Sequence, residues 1–306
     1  MRLWQTFFLV RKKTVRGDVT LFHINDEFSE LKKCAVGIPH VIEYDPCNGW
    51  ISKHYRWMDA ECESLEKVLT EYGVEVVRPH EISIGEYLGA FNPNPRRYEC
   101  YQLFPRDGVF IVGDNGFHIG CRPSIIGYDL KFISMPCDWT NIGGNPKDPL
   151  LDGGDLILLG ESILAGHSKH RYSISNEDGR NWIGAQVPDR DVIPVKMPDD
   201  FFHLDMALSI VNNNIVICSG EMNISKIIPE GMEIISVHSH YANMGLINGL
   251  AIAPDVYLTP LDNGIGCPDV IDGLRERGVN VIPIEYKGHI HALGGIRCST
   301  VPLIRE

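Results

Sequence analysis

The sequence predicts an α/β protein in which a unit of β-hairpin, helix and strand repeats around a common centre. Two segments share one pattern, "LEKVLTEYGVEVVRP" at Leu65–Pro79 and "VIDGLRERGVNVIPI" at Val270–Ile284. In each, apolar residues at helical spacing end near a glycine and continue as a β-branched run typical of a strand. Between these segments lie four predicted hairpins, each formed by two apolar runs around a polar turn.

The four hairpins are "VFIVGDNGFHIG", "LILLGESILAG", "ALSIVNNNIVICSG" and "LAIAPDVYLTP", and polar residues precede each of them. In chain order these polar residues are Arg106 and Asp107, Asp152 and Asp155, His203 and Asp205, and Asn243 and Asn248. Repeated units packed around a centre would bring such residues together, since they occupy the same end of each unit. The alternative is that the acidic residues only mark turns, although Arg-Asp and His-x-Asp are not turn signatures.

Composition and charge narrow the class of protein. The 306 residues suit one large domain or two ordinary ones, and 28 Lys and Arg against 40 Asp and Glu give a net charge of −12. We therefore expect no nucleic-acid partner, which would require a local excess of basic residues. An acidic surface suits a small cationic substrate better. No apolar run approaches the roughly 20 residues of a membrane span.

The cysteines and the N-terminus indicate a cytoplasmic protein. The start, "MRLWQTFFLVRKKTVRGD", lacks the long apolar core and the small-residue cleavage site of a signal peptide. The nine cysteines are scattered without a CxxC pair, which favours a reducing compartment where most of them are small core residues. The sequence has no signal for the oligomeric state, so a homodimer is one of the alternatives.

The segment "LGGIRCSTVPL", Leu293–Leu303, contains the best candidate for a nucleophile. Cys298 follows two glycines and an arginine, whereas a structural cysteine is more usual inside an apolar run. A cysteine attacks as the thiolate and needs a lowered pKa or a nearby base. The glycines would let a substrate approach the backbone closely. The alternative is a buried, inert cysteine near the C-terminus.

A histidine and three carboxylates are candidates for the rest of a site. His203 and Asp205 are two residues apart, so in an extended segment they point to the same face, one as proton carrier and one as acceptor for a cation. Asp107 and Asp152 add two further carboxylates. Converging carboxylates imply a cation that neutralises them. A guanidinium would serve, because its planar N–H donors match carboxylates.

A metal ion is the other cation that such carboxylates could bind. The sequence has two H-x-H pairs, His238/His240 and His289/His291, and in a strand the members of each pair would share a face. Neither pair has a third ligand at a familiar spacing. We therefore expect neither a metal nor another cofactor.

In chain order, the motifs around Asp107, Asp152, His203 with Asp205, and Cys298 resemble the guanidino-group-modifying enzyme superfamily. This superfamily includes arginine deiminases, dimethylarginine dimethylaminohydrolases and amidinotransferases. The segments "FPRDGVFIVGD" and "FHLDMALSIV" resemble deiminases and amidinotransferases, and "LDGGDLILLGESILAGHSK" is most similar to the dimethylarginine hydrolases. "NGLAIAPDVYLTP" and "GGIRCSTVPLIRE" resemble the C-terminal part of arginine deiminases.

The resemblance covers roughly Glu30 to the C-terminus and implies a fold. The family fold is a five-bladed, pseudo-symmetric α/β propeller of ββαβ-type units. We accordingly expect residues 30–306 to form a single catalytic propeller domain, with residues 1–29 as an N-terminal leader or first strands.

The resemblance also implies roles for the candidate residues. Cys298 would be the nucleophile and His203 the general acid and base. The expected activity is a Cys-dependent hydrolase that acts on a guanidino compound through a covalent amidino-thioether. An amidinotransferase that passes the amidino group to an amine is the alternative, and a non-catalytic propeller that binds a partner is a more remote one. The residues expected to bind the guanidinium substrate are Asp107, Asp152, Asp205, Arg106 and Asn243.

Two departures from the arginine deiminases bear on the substrate. Those enzymes hold the substrate's α-carboxylate with two arginines, but His170 and Leu293 stand at the matching places here. An α-carboxylate would lose charge-assisted hydrogen bonds worth roughly 1.5–3 kcal/mol each. The departures therefore point away from free arginine. We expect specificity to lie in loops such as Tyr44–Asp59 and Asn92–Cys100.

Overall fold

The computed structural model describes residues 22–91, 100–119, 125–134 and 149–306, which form a mixed α/β fold. Residues 1–21 of the predicted leader and residues 92–99 of a predicted specificity loop lie outside the described residues. Six cysteines with described side chains are free, and five of them are buried as predicted. None of the described helices combines the length and the apolar character needed to cross a membrane.

The described residues contain eighteen strands and seven α-helices. The strands are β1 Leu31–Val36, β2 His40–Asp45, β3 Gly49–His54, β4 Glu75–Val77, β5 Cys100–Tyr101, β6 Val109–Val112, β7 Asn115–His118, β8 Ile133–Ser134, β9 Leu156–Leu159, β10 Ser162–His167, β11 Asp191–Lys196, β12 Leu208–Ile210, β13 Ile215–Ser219, β14 Glu233–Val237, β15 Leu250–Ala253, β16 Val256–Leu261, β17 Asn280–Glu285 and β18 Thr300–Arg305. The helices are α1 Asp59–Glu71, α2 Ile84–Phe91, α3 Ile125–Asp129, α4 Glu177–Gln186, α5 Ser239–Asn243, α6 Pro268–Glu276 and α7 Lys287–His291.

Five of the six described sheets share one topology. In the sheets β6-β7-β8, β9-β10-β11, β12-β13-β14, β15-β16-β17 and β18-β1-β4, the central strand is antiparallel to one neighbour and parallel to the other. An α-helix precedes the parallel strand in four of them. The predicted hairpin–helix–strand unit is thus confirmed. The sixth sheet, β3-β2-β5, is antiparallel throughout.

The two segments with matching sequence patterns form matching structures. α1 and α6 each end shortly before a glycine, Gly73 and Gly278, with φ of 78° and 77°. Only glycine adopts this left-handed conformation without steric cost, so it ends each helix and turns the chain into β4 or β17. Leu65, Leu69 and Leu274 are among the buried residues of the two helices.

One predicted loop is a hairpin. Most of Tyr44–Asp59 belongs to β2, β3 and the start of α1. The turn is closed by Asp45, whose Oδ1 accepts from the backbone N–H groups of Cys47 and Asn48 at 2.7 and 3.1 Å. Gly49 follows with φ of 76°. This Asx turn brings the two strands together, and for this reason the expectation of a loop was wrong.

The end of the predicted leader is attached to the fold. The backbones of Ile24 and Gly113 exchange hydrogen bonds of 3.0 and 2.6 Å. Glu27 is buried, with 7% of its surface exposed. The chain therefore enters the interior before residue 30, whereas the division into 1–29 and 30–306 remains a prediction.

Candidate active site

Short 3-10 turns carry polar side chains into the interior at the start of three hairpins. The turns Pro105–Gly108, Gly153–Asp155 and Leu204–Met206 stand directly before β6, β9 and, one residue later, β12. Two of the turns follow a residue in extended conformation, Asp152 or His203. The buried polar residues of this region are Arg106, Asp107, Asp152, Asp155, His203 and Asp205. The sequence prediction that these residues converge agrees with the contacts that follow.

His203 lies between two carboxylates. Its Nε2 is 3.1 Å from Asp152 Oδ2, and its Nδ1 is 3.8 Å from Asp107 Oδ1. Burial alone would lower the pKa of His203, but the charges of Asp152 and Asp107 raise it to about 10. The imidazole is therefore protonated at neutral pH and can donate a proton to a leaving nitrogen.

Asp155 holds the backbone next to His203 in place, a role that was not predicted from the sequence. Its Oδ1 accepts from the backbone N–H of Leu204 at 3.0 Å, and its Oδ2 accepts from Ser175 Oγ at 2.5 Å. Burial raises the pKa of Asp155 to about 7, although the charge of His203 opposes the shift. These bonds fix the backbone of the residue that follows His203.

Cys298 is held against Asp205. Its Sγ is 3.5 Å from Asp205 Oδ2, and its backbone N–H donates to Asn248 Oδ1 at 3.1 Å. The residue is 2% exposed. Burial, followed by the charges of Asp205 and Asp107, raises the pKa of the thiol well above its usual value. In the absence of a bound cation, Cys298 is therefore a neutral thiol.

We expect alkylation of Cys298 to be slow at neutral pH for this reason. Since only the thiolate reacts, the rate should rise about 10-fold per pH unit between about pH 7 and pH 9 without a plateau. Iodoacetamide labelling, followed by mass spectrometry of the Cys298 peptide, measures the rate, with the exposed Cys47 as internal control. A plateau below about pH 8 would show that the carboxylates do not act on this thiol.

Arg297 occupies one side of Asp205. Its Nη1 donates to Asp205 Oδ2 at 2.9 Å, and its Nη2 donates to Glu27 Oε1 and to the backbone oxygen of Leu156, both at 2.9 Å. Burial disfavours the charge, but Glu27 and Asp205 raise the pKa of Arg297 further above its ordinary value. Glu27 and the contacts of Arg297 had not been predicted, because the partners are distant in sequence.

Arg106 contacts the backbone around Cys298. Its Nε donates to the backbone oxygens of Thr300 and Arg297 at 3.0 and 3.4 Å. Burial and the neighbouring charge of Arg297 lower the pKa of Arg106 to about 10. The observed contacts orient the loop that carries Cys298, whereas the sequence analysis predicted that Arg106 binds the substrate.

Asn243 and Asn248 differ in their placement. Asn243 is exposed at the end of α5, and no hydrogen bond in the described part of the chain joins it to the other candidate residues. Asn248 is fully buried; besides its contact with Cys298, its Nδ2 donates to the backbone oxygen of Asp205 at 3.0 Å. Asn248 thus connects the loop of Asp205 with the loop of Cys298. The sequence analysis had predicted Asn243 as the site residue, and the structure places Asn248 there instead.

The glycines before Cys298 make room for protein atoms. A Cβ on Gly294 would lie 2.3 Å from the Phe104 ring, and one on Gly295 would lie 2.7 Å from Asn248. The prediction that they leave space for a substrate is therefore corrected. They allow close packing of the loop that carries Cys298.

Gly154 makes the same kind of contact with His203, and this gives a test. A Cβ at Gly154 would lie 2.5 Å from His203 Nδ1, so Gly154→Ala should displace the ring and lower kcat by about 100-fold. Gly184→Ala is the matched control, because its Cβ would meet only Val192, at 3.4 Å. Steady-state kinetics on both variants measure the effect. Equal activity of the two would contradict the placement of His203.

Neither H-x-H pair belongs to a cluster of three possible metal ligands within the described ranges of the chain. They lie at helices rather than strands: His238 caps α5, and His289 is buried with its Nδ1 2.6 Å from Glu61 Oε2, whereas His291 is exposed. The shared face that a strand would have given each pair is therefore not formed, and the interpretation of these histidines as exposed or core residues agrees with their positions. Within the described ranges, a cluster of Asp107, Asp152 and His203 has ligand atoms within 4.8 Å of one another. The same carboxylates that would hold a metal ion raise the pKa of His203, so a metal ion would compete with the imidazole proton at this cluster.

Comparison with known proteins adds the family context. No protein-family model matches the chain. It is 24% identical over 212 residues to the uncharacterized protein YkgA of Bacillus subtilis (strain 168), which covers 67% of this chain and 70% of that protein.

Three solved structures are similar in fold. The inosamine-phosphate amidinotransferase StrB1 from Streptomyces griseus has a TM-score of 0.73 at 19% identity, over 93% of this chain and 97% of that chain. SxtG, an amidinotransferase from Microseira wollei in the saxitoxin biosynthetic pathway, has a TM-score of 0.72 at 15% identity with the same coverage. DDAH from Pseudomonas aeruginosa has a TM-score of 0.59 at 14% identity, over 89% of this chain and 99% of that chain. The resemblance read from the motifs is confirmed at the level of the fold.

Proposed function

We propose that this chain, which has the fold of the guanidino-group-modifying enzymes, cleaves a C–N bond of a guanidino compound through a covalent intermediate on Cys298. The observation that carries the proposal is the convergence of a buried cysteine, a protonated histidine and three carboxylates. The excess of negative charge around Cys298 and His203 suits a planar cation. The five sheets of like topology support a further inference, that they form five blades around this site.

A bound cation would also activate the nucleophile. In the free protein Asp205 and Asp107 raise the pKa of the Cys298 thiol. A guanidinium that pairs with these carboxylates would remove much of this effect, because an opposite charge nearby favours the thiolate. The reactive form would then arise only when substrate is present, which limits reactions with other electrophiles.

The first half of the reaction follows from these roles. As the guanidinium binds, the Cys298 thiol loses its proton to solvent, and the resulting thiolate attacks the guanidinium carbon and forms a C–S bond. The resulting tetrahedral adduct collapses as the C–N bond breaks, and His203 gives its proton to the departing nitrogen. The products are a free amine or ammonia and an amidino-thioether on Cys298. Neutral His203 then accepts a proton from the second nucleophile, which attacks the same carbon and expels the thiolate.

The second nucleophile decides between two activities. With water the product is a ureido compound, which is the hydrolase predicted from the sequence. With an amine the product is a new guanidino compound, and the higher TM-scores to the two amidinotransferases favour this second candidate. The group that leaves differs between the two activities. The hydrolase releases ammonia or an alkylamine and keeps the rest of the substrate on Cys298 as a substituted amidino-thioether, whereas the transferase releases the substrate's own amine and keeps only the amidino group on Cys298.

Substrate screening tests the proposal and separates the two activities. Guanidino compounds with and without an α-carboxylate are incubated with the protein alone or with an amine such as glycine. Ureido products without an amine indicate the hydrolase, and amidino transfer only in its presence indicates the transferase. We expect poor turnover of free arginine, since Leu293 is 56% exposed and offers no charge to a carboxylate. Absence of turnover with every compound and acceptor would contradict the proposal.

A further inference from the structure

The position of Arg297 raises a problem for a site that binds guanidinium. Asp205 is expected to bind the substrate, yet a guanidinium of the protein itself already contacts its Oδ2. The planar fork of an arginine commonly binds both oxygens of a carboxylate through two parallel N–H bonds. Bidentate pairing of this kind would occupy the whole of Asp205 and exclude the substrate.

Glu27 prevents this pairing in the structure. Its carboxylate accepts from Arg297 Nη2, the nitrogen that would otherwise be free to reach the second oxygen of Asp205. The backbone oxygen of Leu156 accepts from the same nitrogen. Asp205 Oδ1 is left buried and makes no hydrogen bond to the described part of the chain. One oxygen of Asp205 is thus held by the protein, and the other remains for a ligand.

The charge of Glu27 is secure at neutral pH. Burial would raise its pKa, but the charges of Arg297 and Arg106 lower it to about 2, with a smaller contribution from Arg305. The backbone N–H of Leu158 also donates to Glu27 Oε1, at 3.2 Å. The carboxylate therefore has a fixed place and a fixed charge.

We propose that Glu27 is a positioning residue for the guanidinium site, because it holds Arg297 to a single oxygen of Asp205 and keeps the other oxygen free for the substrate. This inference rests on the proposed function in that Asp205 is taken to bind the substrate. Glu27 itself need not contact the substrate; it acts through Arg297. Its removal should turn Arg297 into an internal competitor for the substrate's site.

Glu27→Gln is the direct test. The amide keeps the size of the side chain and an oxygen for the Leu158 N–H, but it loses the negative charge. We expect KM for a guanidino substrate to rise about 10-fold, with a smaller change in kcat, as Arg297 pairs with both oxygens of Asp205. Cys298 alkylation without substrate should become about 3-fold faster at fixed pH, since the net charge near Cys298 becomes less negative. The charged groups that act on this thiol are Asp205, Asp107 and Arg297.

The two readouts separate positioning from a structural role. A variant that is merely less stable would bind substrate more weakly without a defined shift in the pH profile of alkylation. Glu66→Gln is the matched control, because Glu66 is also a carboxylate paired with an arginine, Arg78 at 2.9 Å, and no described hydrogen bond joins Glu66 to Asp205, Arg297 or Cys298. We expect Glu66→Gln to leave both KM and the rate of Cys298 alkylation unchanged. The same result for Glu27→Gln would overturn the proposal.

Two further variants keep the test decisive if Glu27→Gln folds poorly. Glu27→Asp retains the charge, so its alkylation profile should stay close to that of the unaltered protein; a shift as large as that of Glu27→Gln would overturn the proposal. Combining Glu27→Gln with Arg297→Lys should give less than the sum of the two effects, because both act on one contact. Additive effects would show that Glu27 does not act through Arg297. Alkylation is measurable without turnover, so a failure of the proposed function is distinguishable from a failure of this inference.

Discussion

Cys298→Ser is expected to lower kcat by about 10³-fold or more with every guanidino substrate. A serine hydroxyl ionises far less readily than a thiol, and no base is close enough in the described contacts to offset this difference. Asp205, the carboxylate in contact with Cys298 Sγ, is proposed to bind the substrate, and its charge opposes ionisation of the thiol. The variant should also resist labelling by a chloroacetamidine reagent. Steady-state turnover and peptide mass spectrometry measure the two effects.

Cys218→Ser provides the matched control. Cys218 is also a buried free cysteine, and burial raises the pKa of its thiol to about 11. It lies within β13 opposite Leu208, and no hydrogen bond in the described residues joins its side chain to Cys298, His203 or the carboxylates of the site. Its replacement should leave turnover and labelling at Cys298 nearly unchanged. Full activity of Cys298→Ser would refute the assignment of the nucleophile for the hydrolase and the transferase alike.

His203→Gln is expected to reduce turnover by about 10²- to 10⁴-fold. The leaving nitrogen needs a proton, and glutamine cannot supply one. The pKa of His203 is raised to about 10. For the same reason, turnover by the unaltered protein should fall as the pH rises through about 10, where His203 loses its proton. An S-alkyl isothiourea, whose thiolate leaves without a proton, should still form the adduct on Cys298 in this variant. The adduct should then accumulate, because no base activates the second nucleophile.

His291→Gln is a suitable comparison for this experiment. His291 is exposed and pairs with Asp262 at 3.3 Å, outside the site. Both variants should form the isothiourea adduct, and only His203→Gln should retain it. Rapid release of the adduct by His203→Gln would show that another group acts as the base.

The sequence predicted the repeating unit and the convergence of polar residues at the starts of the hairpins, because both leave local signals. The hairpins are continuous apolar runs, and β6, β9 and β13 are indeed buried along their whole length. Asp107, Asp152, His203 and Asp205 each stand at the start of such a hairpin. A residue type at a fixed place in a repeat can be read without knowledge of the packing.

The supporting residues could not be read in this way. Glu27 is 270 residues from its partner Arg297 in sequence, and neither residue has a local pattern that names the other. Asn248 and Asn243 were equivalent in the sequence, since only tertiary packing shows which one faces Cys298. Arg106 was predicted to bind the substrate, but its Nε donates to backbone oxygens of the protein. Contacts to the backbone cannot be predicted from residue types, since every residue has a carbonyl oxygen.

The central claim is that the amidino group becomes covalently attached to Cys298 during turnover. Its most direct test is rapid acid quenching of the protein during reaction with a guanidino substrate that the screen identifies, followed by mass spectrometry of the intact protein and of its peptides. We predict an added amidino-type mass located on Cys298, absent in Cys298→Ser and lost when the reaction is complete. Turnover without any such adduct, or with an adduct on another residue, would contradict the account.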